Sequence, residues 1–157
     1  MADEKDTGVN FEISCGPWVP VEENMDVFTG ELVEEGYSEN THTSDEVARK
    51  AGFTGRIVEG RMIVSALLSR MLGTFLGSGW MMGGELAVKF VDISYPGDVI
   101  TAKGIIRKSL NEGKAARIEL EVWCENQKGE KIVVGTARGY REHVEHQGPR
   151  MRRAVRR

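Results

Sequence analysis

The stretch from Met62 to Leu76 is too apolar for a helix that lies on a surface. Its only non-apolar side chains are Ser65, Ser69, Arg70 and Thr74, with Gly73 among them. Arg61, Ser65, Ser69 and Gly73 recur at every fourth residue and make one narrow stripe, while nearly all the rest of the circumference is greasy. A helix like that is buried on most sides. At ~15 residues it reaches about 22 Å, too short and too interrupted to span a membrane. The second half of the chain reads as β-sheet, so the expected arrangement is a helix wrapped by a sheet.

The 157 residues suit one domain that buries a core without staples. Charged residues at 29% and hydrophobic ones at 40% fit a soluble globular protein, and no apolar leader or membrane-length run is present. A cytoplasmic location with no membrane contact is therefore expected. Cys15 and Cys124 are distant and lack any metal-ligand spacing, so they read as reduced thiols, with no disulfide, metal or cofactor expected. Net charge is −3, but the last eight residues, Arg150 to Arg157, hold five arginines, which leaves the rest near −8. That tail has no interleaved aromatics, so it reads as solvated and disordered, without a nucleic-acid partner. His143 and His146 read as solvated neighbours of the tail. The expected organisation is a disordered N-terminus over 1–10, one domain over 11–142, and a basic disordered tail over 143–157.

Along the chain, Phe11-Glu12-Ile13 and Trp18-Val19 read as short extended pieces set off by Gly16-Pro17 and Pro20. Asp26 to Glu35 fits neither helix nor strand period, and Gly30 argues against a helix. Thr43-Ser44-Asp45-Glu46 reads as a capping box, with Thr43 as N-cap and Glu46 closing it, for a helix over 44–51 that ends at Gly52. Gly77-Ser78-Gly79 reads as a loop. Strands are expected over 85–93, 99–108, 115–125 and 131–140, joined by turns at Tyr95-Pro96-Gly97-Asp98, Asn111-Glu112-Gly113 and Gln127-Lys128-Gly129-Glu130. Such short turns predict antiparallel neighbours, an α+β meander with the apolar helix across it.

His42, Ala48, Phe53 and Ile57-Val58-Glu59-Gly60 stand at one set of spacings, and Phe90 precedes Tyr95-Pro96-Gly97-Asp98 further on. In these residues the chain from Glu35 to Arg141 resembles the MaoC-like dehydratases of the hot-dog fold, which include the (R)-specific enoyl-CoA hydratases. The resemblance implies an antiparallel sheet wrapped around a long central helix. It implies a lyase of fatty acid metabolism acting on enoyl-CoA or 3-hydroxyacyl-CoA, with no cofactor besides the CoA or acyl-carrier thioester that is its substrate. It also implies sheets paired edge to edge, as a homodimer or a heterodimer with another hot-dog chain.

Two departures bear on the chemistry. The family's catalytic loop reads Asp-x-Asn-Pro-x-His, whereas this chain reads Tyr37-Ser38-Glu39-Asn40-Thr41-His42. Tyr37 thus takes the aspartate's place, and Glu39 and Asn40 replace the Asn-Pro pair. Sliding the asparagine into register would put Ser38 and Thr43 at the catalytic positions instead, but it loses the downstream spacing. The second departure is Glu59, where the family usually carries a histidine before its glycine.

Hydrating an enoyl thioester requires water to be deprotonated as it attacks Cβ, a proton to reach Cα, and the thioester oxygen to be stabilised as it gains enolate charge. The resemblance gives the last task to a backbone N–H at the start of the central helix, carried here by Gly60 and flanked by Arg61. His42 is the candidate base, since imidazoles exchange protons near neutral pH. Glu39 and Glu59 are candidates for the missing carboxylate, and Tyr37 could donate a proton but ionises too high to serve as a base. Three readings stay open: a hydro-lyase, a non-catalytic subunit that binds acyl thioesters or completes an active partner, and a hot-dog thioesterase. Lys89, Arg107, Lys108 and Arg138 are candidates to meet CoA phosphates. Trp80, Met81 and Met82 are candidates to line an acyl pocket.

Overall fold

Where apolar residues alternate, the chain forms strands. A computed structural model describes residues 8–34 and 39–143, with side chains described outside 30–34. Tyr37, the first residues of the expected N-terminal tail and the arginine-rich segment from 144 lie outside the described residues. β1 (Glu12–Trp18), β2 (Glu85–Phe90), β3 (Ile100–Glu112), β4 (Ala115–Glu125) and β5 (Lys131–Glu142) make one five-stranded sheet, paired antiparallel throughout. β4 matches its expected bounds, and Ala116, Ile118, Leu120, Val122 and Cys124 all turn inward and are buried.

The strand order β1-β3-β4-β5-β2 corrects the expected meander. β2 lies at the far edge beside β5, not next to β3. Its pairing stops where Val91 and Asp92 both donate to the Ile132 carbonyl. The Tyr95-Pro96-Gly97-Asp98 turn then closes no hairpin, because its backbone is held elsewhere. Val58 N–H donates to Ser94 O at 2.8 Å and Gly97 N–H to Pro20 O at 2.8 Å, so the segment crosses to the other side of the sheet. β1 is likewise one strand instead of two pieces. A register irregularity between Cys15 and Trp18 absorbs Gly16-Pro17, and an edge strand tolerates a proline that cannot donate to the ladder.

Three helical segments precede the sheet-covered core or cross it. α1 (Glu22–Glu34) was hidden from the helical period because, among its described side chains, only Met25 and Thr29, one turn apart, are buried, while Val27 is 82% exposed. α2 (Asp45–Lys50) starts one residue later than expected. Ser44 is its N-cap, accepting from Val47 N–H; the Thr43 hydroxyl accepts instead from Asn40 N–H, and Glu46 pairs with Lys50. Gly52, at φ +94°, ends it in the left-handed conformation expected there.

The central helix consists of α3 (Gly60–Ile63), a π-helical segment (Val64–Ser69) and α4 (Arg70–Leu76). Its buried pairs, Met62/Ile63, Leu67/Leu68 and Met71/Leu72, step first by five residues and then by four. A straight α-helix rotates a five-residue step away from the core. The wider π turn, with its i→i+5 bonds, brings Leu67 and Leu68 back beneath Met62 and Ile63. The helix presses on the sheet at Gly104, where a Cβ would stand 3.3 Å from Met71 Cε. Leu68 and Leu72 are fully enclosed, so truncating either to alanine would cost about 2–5 kcal/mol. The expected loop after it is a short helix, α5 (Ser78–Gly83), held by Trp80 Nε1 donating to Ser69 Oγ at 3.2 Å.

Candidate active site

Two turns of hydrogen bonding hold the loop that carries His42. The Asn40 side chain accepts from His42 N–H at 2.8 Å, and Asn40 O accepts from Thr43 N–H and Ser44 N–H, so this asparagine folds its own loop. The loop is then sewn to the segment leading into α3. Ile57 N–H donates to Thr41 O at 3.1 Å, and His42 Nδ1 lies 3.0 Å from Ile57 O. A carbonyl oxygen only accepts, so Nδ1 carries the proton, and in the neutral form of the ring the lone pair lies on Nε2. That is the tautomer a general base needs. His42 is half-buried, and its anchor lies three residues before Gly60.

Gly60 opens the central helix, and its N–H points out of the positive end of the helix dipole. The Phe90 ring lies directly on it: a Cβ at position 60 would come 2.4 Å from Phe90 Cε1. Phe90 is 50% exposed, so one face of the ring walls the approach to Gly60. At the next residue the Arg61 guanidinium stands 5.9 Å from the Phe28 ring centroid. The Phe90 ring is thus the apolar group in contact with Gly60, and His42 is tied to the same entering segment through Ile57.

The two expected carboxylates behave differently. Glu59 is the N-cap of α3: it accepts from Arg61 N–H at 3.3 Å and from Arg61 Nε at 2.9 Å, with its side chain 14% exposed. Glu39 is exposed on the loop of His42. Of the four candidate phosphate-binding cations, three are paired on the strands, and Lys89 precedes Phe90 on β2. Arg107 pairs with Glu121 at 2.7 Å and Arg138 with Glu85 at 2.6 Å, and Lys108 faces Glu119 across β3 and β4. Met81 and Met82 are 81% and 87% exposed and line no enclosed pocket. A cavity of about 700 Å³ opens among Glu85, Arg107, Glu119, Glu121 and Arg138, but neither His42 nor Gly60 lines it.

The supporting roles of Arg56, Asp45 and Asp98 were not read from the sequence. Arg56 donates through Nε to His42 O, through Nη2 to Asp26, and through its backbone N–H to Asp45 Oδ1. Asp45 therefore braces the loop besides opening α2. Asp98 accepts from Ser94 Oγ, Tyr95 N–H and Gln127 Nε2, and so shapes the turn whose Ser94 carbonyl receives Val58. Burial pushes the Asp98 carboxyl up, but those hydrogen bonds and the Lys128 charge outweigh it and hold it below its ordinary 3.8. A polar residue type alone carries no sign of such bracing; Asp98 was readable as part of a turn, but not as the acceptor that organises it.

No protein-family model and no curated protein matches this sequence. Solved structures do match in fold. The MaoC-like dehydratase from Rhodospirillum rubrum is 20% identical over 90% of this chain and 97% of its own, with a TM-score of 0.72. The (R)-hydratase from A. caviae involved in PHA biosynthesis is 20% identical over 87% of this chain and 97% of its own, with a TM-score of 0.66. The HadBC (3R-hydroxyacyl-ACP dehydratase) complex from Mycobacterium tuberculosis supplies a chain 15% identical over 84% of this one and 96% of its own, with a TM-score of 0.63. This chain has the hot-dog fold of the MaoC-like dehydratases.

Proposed function

We propose that this hot-dog chain is a hydro-lyase that adds water to, or removes it from, an acyl thioester of the enoyl/3-hydroxyacyl type. The observation that carries the reading is the 3.0 Å contact of His42 Nδ1 with Ile57 O, which leaves Nε2 as the base on a loop anchored to the segment that leads to the Gly60 N–H. Nε2 takes a proton from water as the oxygen bonds to Cβ. The π electrons of the alkene move toward the carbonyl, whose oxygen gains charge at Gly60 N–H. The imidazolium, or Glu39 beside it in the loop, then supplies the proton that Cα takes up. Glu39 is the better candidate for the second group, because the Glu59 carboxylate already caps the helix. A missing proton-transfer partner lowers rate by about 10²- to 10⁴-fold, so a slow enzyme is expected.

A second reading is a thioester-binding subunit that pairs with a chain carrying a complete acid/base pair. It is favoured by one observation: among the described residues, no carboxylate bonds the His42 imidazole. Either reading is compatible with pairing through the exposed edge of β2, since the chain resembles a component of a two-chain dehydratase complex in fold. Spectrophotometric hydration of a panel of enoyl-CoAs, wild type against His42→Ala, tests the first. Turnover that falls at least ~10²-fold in the variant supports it. Equal rates would remove His42 from catalysis, and thioester binding without turnover would favour the subunit. A monomer at all concentrations in sedimentation would remove the pairing.

A further inference from the structure

We propose that Arg56 is the positioning residue of this site, its guanidinium fixing the His42 ring in the Nδ1–H form and tying it to α1. The inference deepens the hydro-lyase reading and rests on it only for its kinetic consequence. The geometry begins with what the other bonds leave undone. Ile57 receives both contacts that sew the loop down, Thr41 O on its N–H and His42 Nδ1 on its carbonyl. Two bonds to one residue form a hinge about that residue. A third point is needed to stop the loop from pivoting and drawing Nδ1 off its acceptor.

Arg56 supplies that point from the adjacent residue. Nε donates to the His42 carbonyl at 3.0 Å, Nη2 donates to Asp26 Oδ1 at 2.6 Å, and the backbone N–H donates to Asp45 Oδ1 at 2.8 Å. Its side chain is only 12% exposed, against 63% for Asp26. A guanidinium removed from water must have its donors met, so its direction is fixed by partners on two elements at once. A planar fork can serve two acceptors lying apart; a lysine ammonium on a flexible stem cannot hold the same two at the same angles. The Asp26 arm makes α1 part of the clamp, and α1 also carries Phe28 against Arg61 at the mouth of Gly60. The base and the apolar flank of the site are thus referenced to one helix.

The test reads the ring itself. Long-range ¹H–¹⁵N correlation spectra of the full-length labelled chain report the tautomer of each imidazole, and His42→Gln assigns the His42 signals. The wild type is expected to show the Nδ1–H form at mildly alkaline pH. Arg56→Lys and Arg56→Met are each expected to shift the pattern toward mixed tautomers, with native circular dichroism. The pattern of the wild type persisting in whichever variant folds would overturn the proposal. Where turnover is measurable, Arg56→Lys is expected to lower kcat at least tenfold with KM within twofold; a change in KM with kcat unaltered would also count against it. Absence of turnover in the wild type sinks the hydro-lyase reading but leaves the spectra to decide the role of Arg56.

Discussion

The Phe90 ring covers Gly60 so closely that a methyl group on residue 60 would lie 2.4 Å from Phe90 Cε1 and 2.6 Å from Cζ. The contact joins the edge strand β2 to the start of the central helix. It also makes the small size of residue 60 testable. In Gly60→Ala the half-exposed ring can swing aside, so the stability cost should be about 1 kcal/mol, at the low end for overpacking. The methyl and displaced ring should still obstruct the N–H, lowering turnover by about 10²-fold, the scale of losing one oxyanion donor. Adding Phe90→Ala should restore the stability and not the turnover, which thermal unfolding and enoyl-CoA kinetics check together. Full activity in Gly60→Ala would remove that N–H from the mechanism.

Much of this arrangement was legible where one periodicity met one face. β4 could be read residue by residue because Ala116 to Cys124 alternate against a single core, and the apolar helix because it needed enclosure on most sides. The sheet order could not be read, since a Pro-Gly-Asp turn looks the same whether it closes a hairpin or docks on Val58. α1 escaped because, among its described side chains, Met25 and Thr29 alone are buried while Val27 faces water. The π segment escaped because a five-residue step looks like noise against a 3.6-residue period. His42 and Gly60 came from a resemblance and not from their residue types. The role of Arg56 came from neither, because its partners lie 11 to 30 residues away, and Asp98 was legible as a turn residue but not as the acceptor that also takes Gln127, 29 residues on.

Glu39 and Glu59 should separate cleanly on substitution. Glu59 caps α3 and pairs with Arg61, so Glu59→Gln should lower unfolding free energy by about 0.5–1 kcal/mol and change turnover little. Glu39 is exposed, so Glu39→Gln should leave stability within about 0.5 kcal/mol. If Glu39 is the second proton-transfer group, its loss should lower kcat by about 10²-fold or more. Urea unfolding beside kinetics of both variants checks this. The reverse pattern, with Glu59→Gln inactive and Glu39→Gln unchanged, would reassign the role.

Cys124 should be chemically silent in the folded protein. Burial, with a smaller contribution from Cys15, pushes its thiol from 9.0 up to about 12. The thiolate is the reactive form, so a thiol reagent at mildly alkaline pH should label half-buried Cys15 first and reach Cys124 only on unfolding. The same shift has a stability sign. The folded state holds the proton more tightly, so this group has no effect below 9.0, and stability falls as pH rises from there toward about 12. Cys124→Ala should leave a cavity but flatten that alkaline limb. Rapid labelling of both thiols in the native state would contradict the buried placement.

Asp98 should give the opposite sign at the acid end. Its carboxyl is held below 3.8 in the folded protein because Gln127, the Tyr95 N–H, the Ser94 hydroxyl and Lys128 together outweigh the burial that pushes it up. A depressed folded value means the stabilisation is complete above 3.8 and is lost as pH falls through the lower, folded value. Asp98→Asn keeps the shape but weakens the acceptors, so unfolding free energy at neutral pH should drop by about 1–3 kcal/mol. Its stability should also fall less steeply with acid than the wild type's. Because the turn hands the Ser94 carbonyl to Val58, two residues before Gly60, turnover should fall further than the lost stability alone explains. Urea unfolding across the acid range, with enoyl-CoA kinetics at neutral pH, decides the matter. Parallel pH profiles for the two proteins would show that Asp98 does not carry the acid-sensitive contact on which the start of the central helix rests.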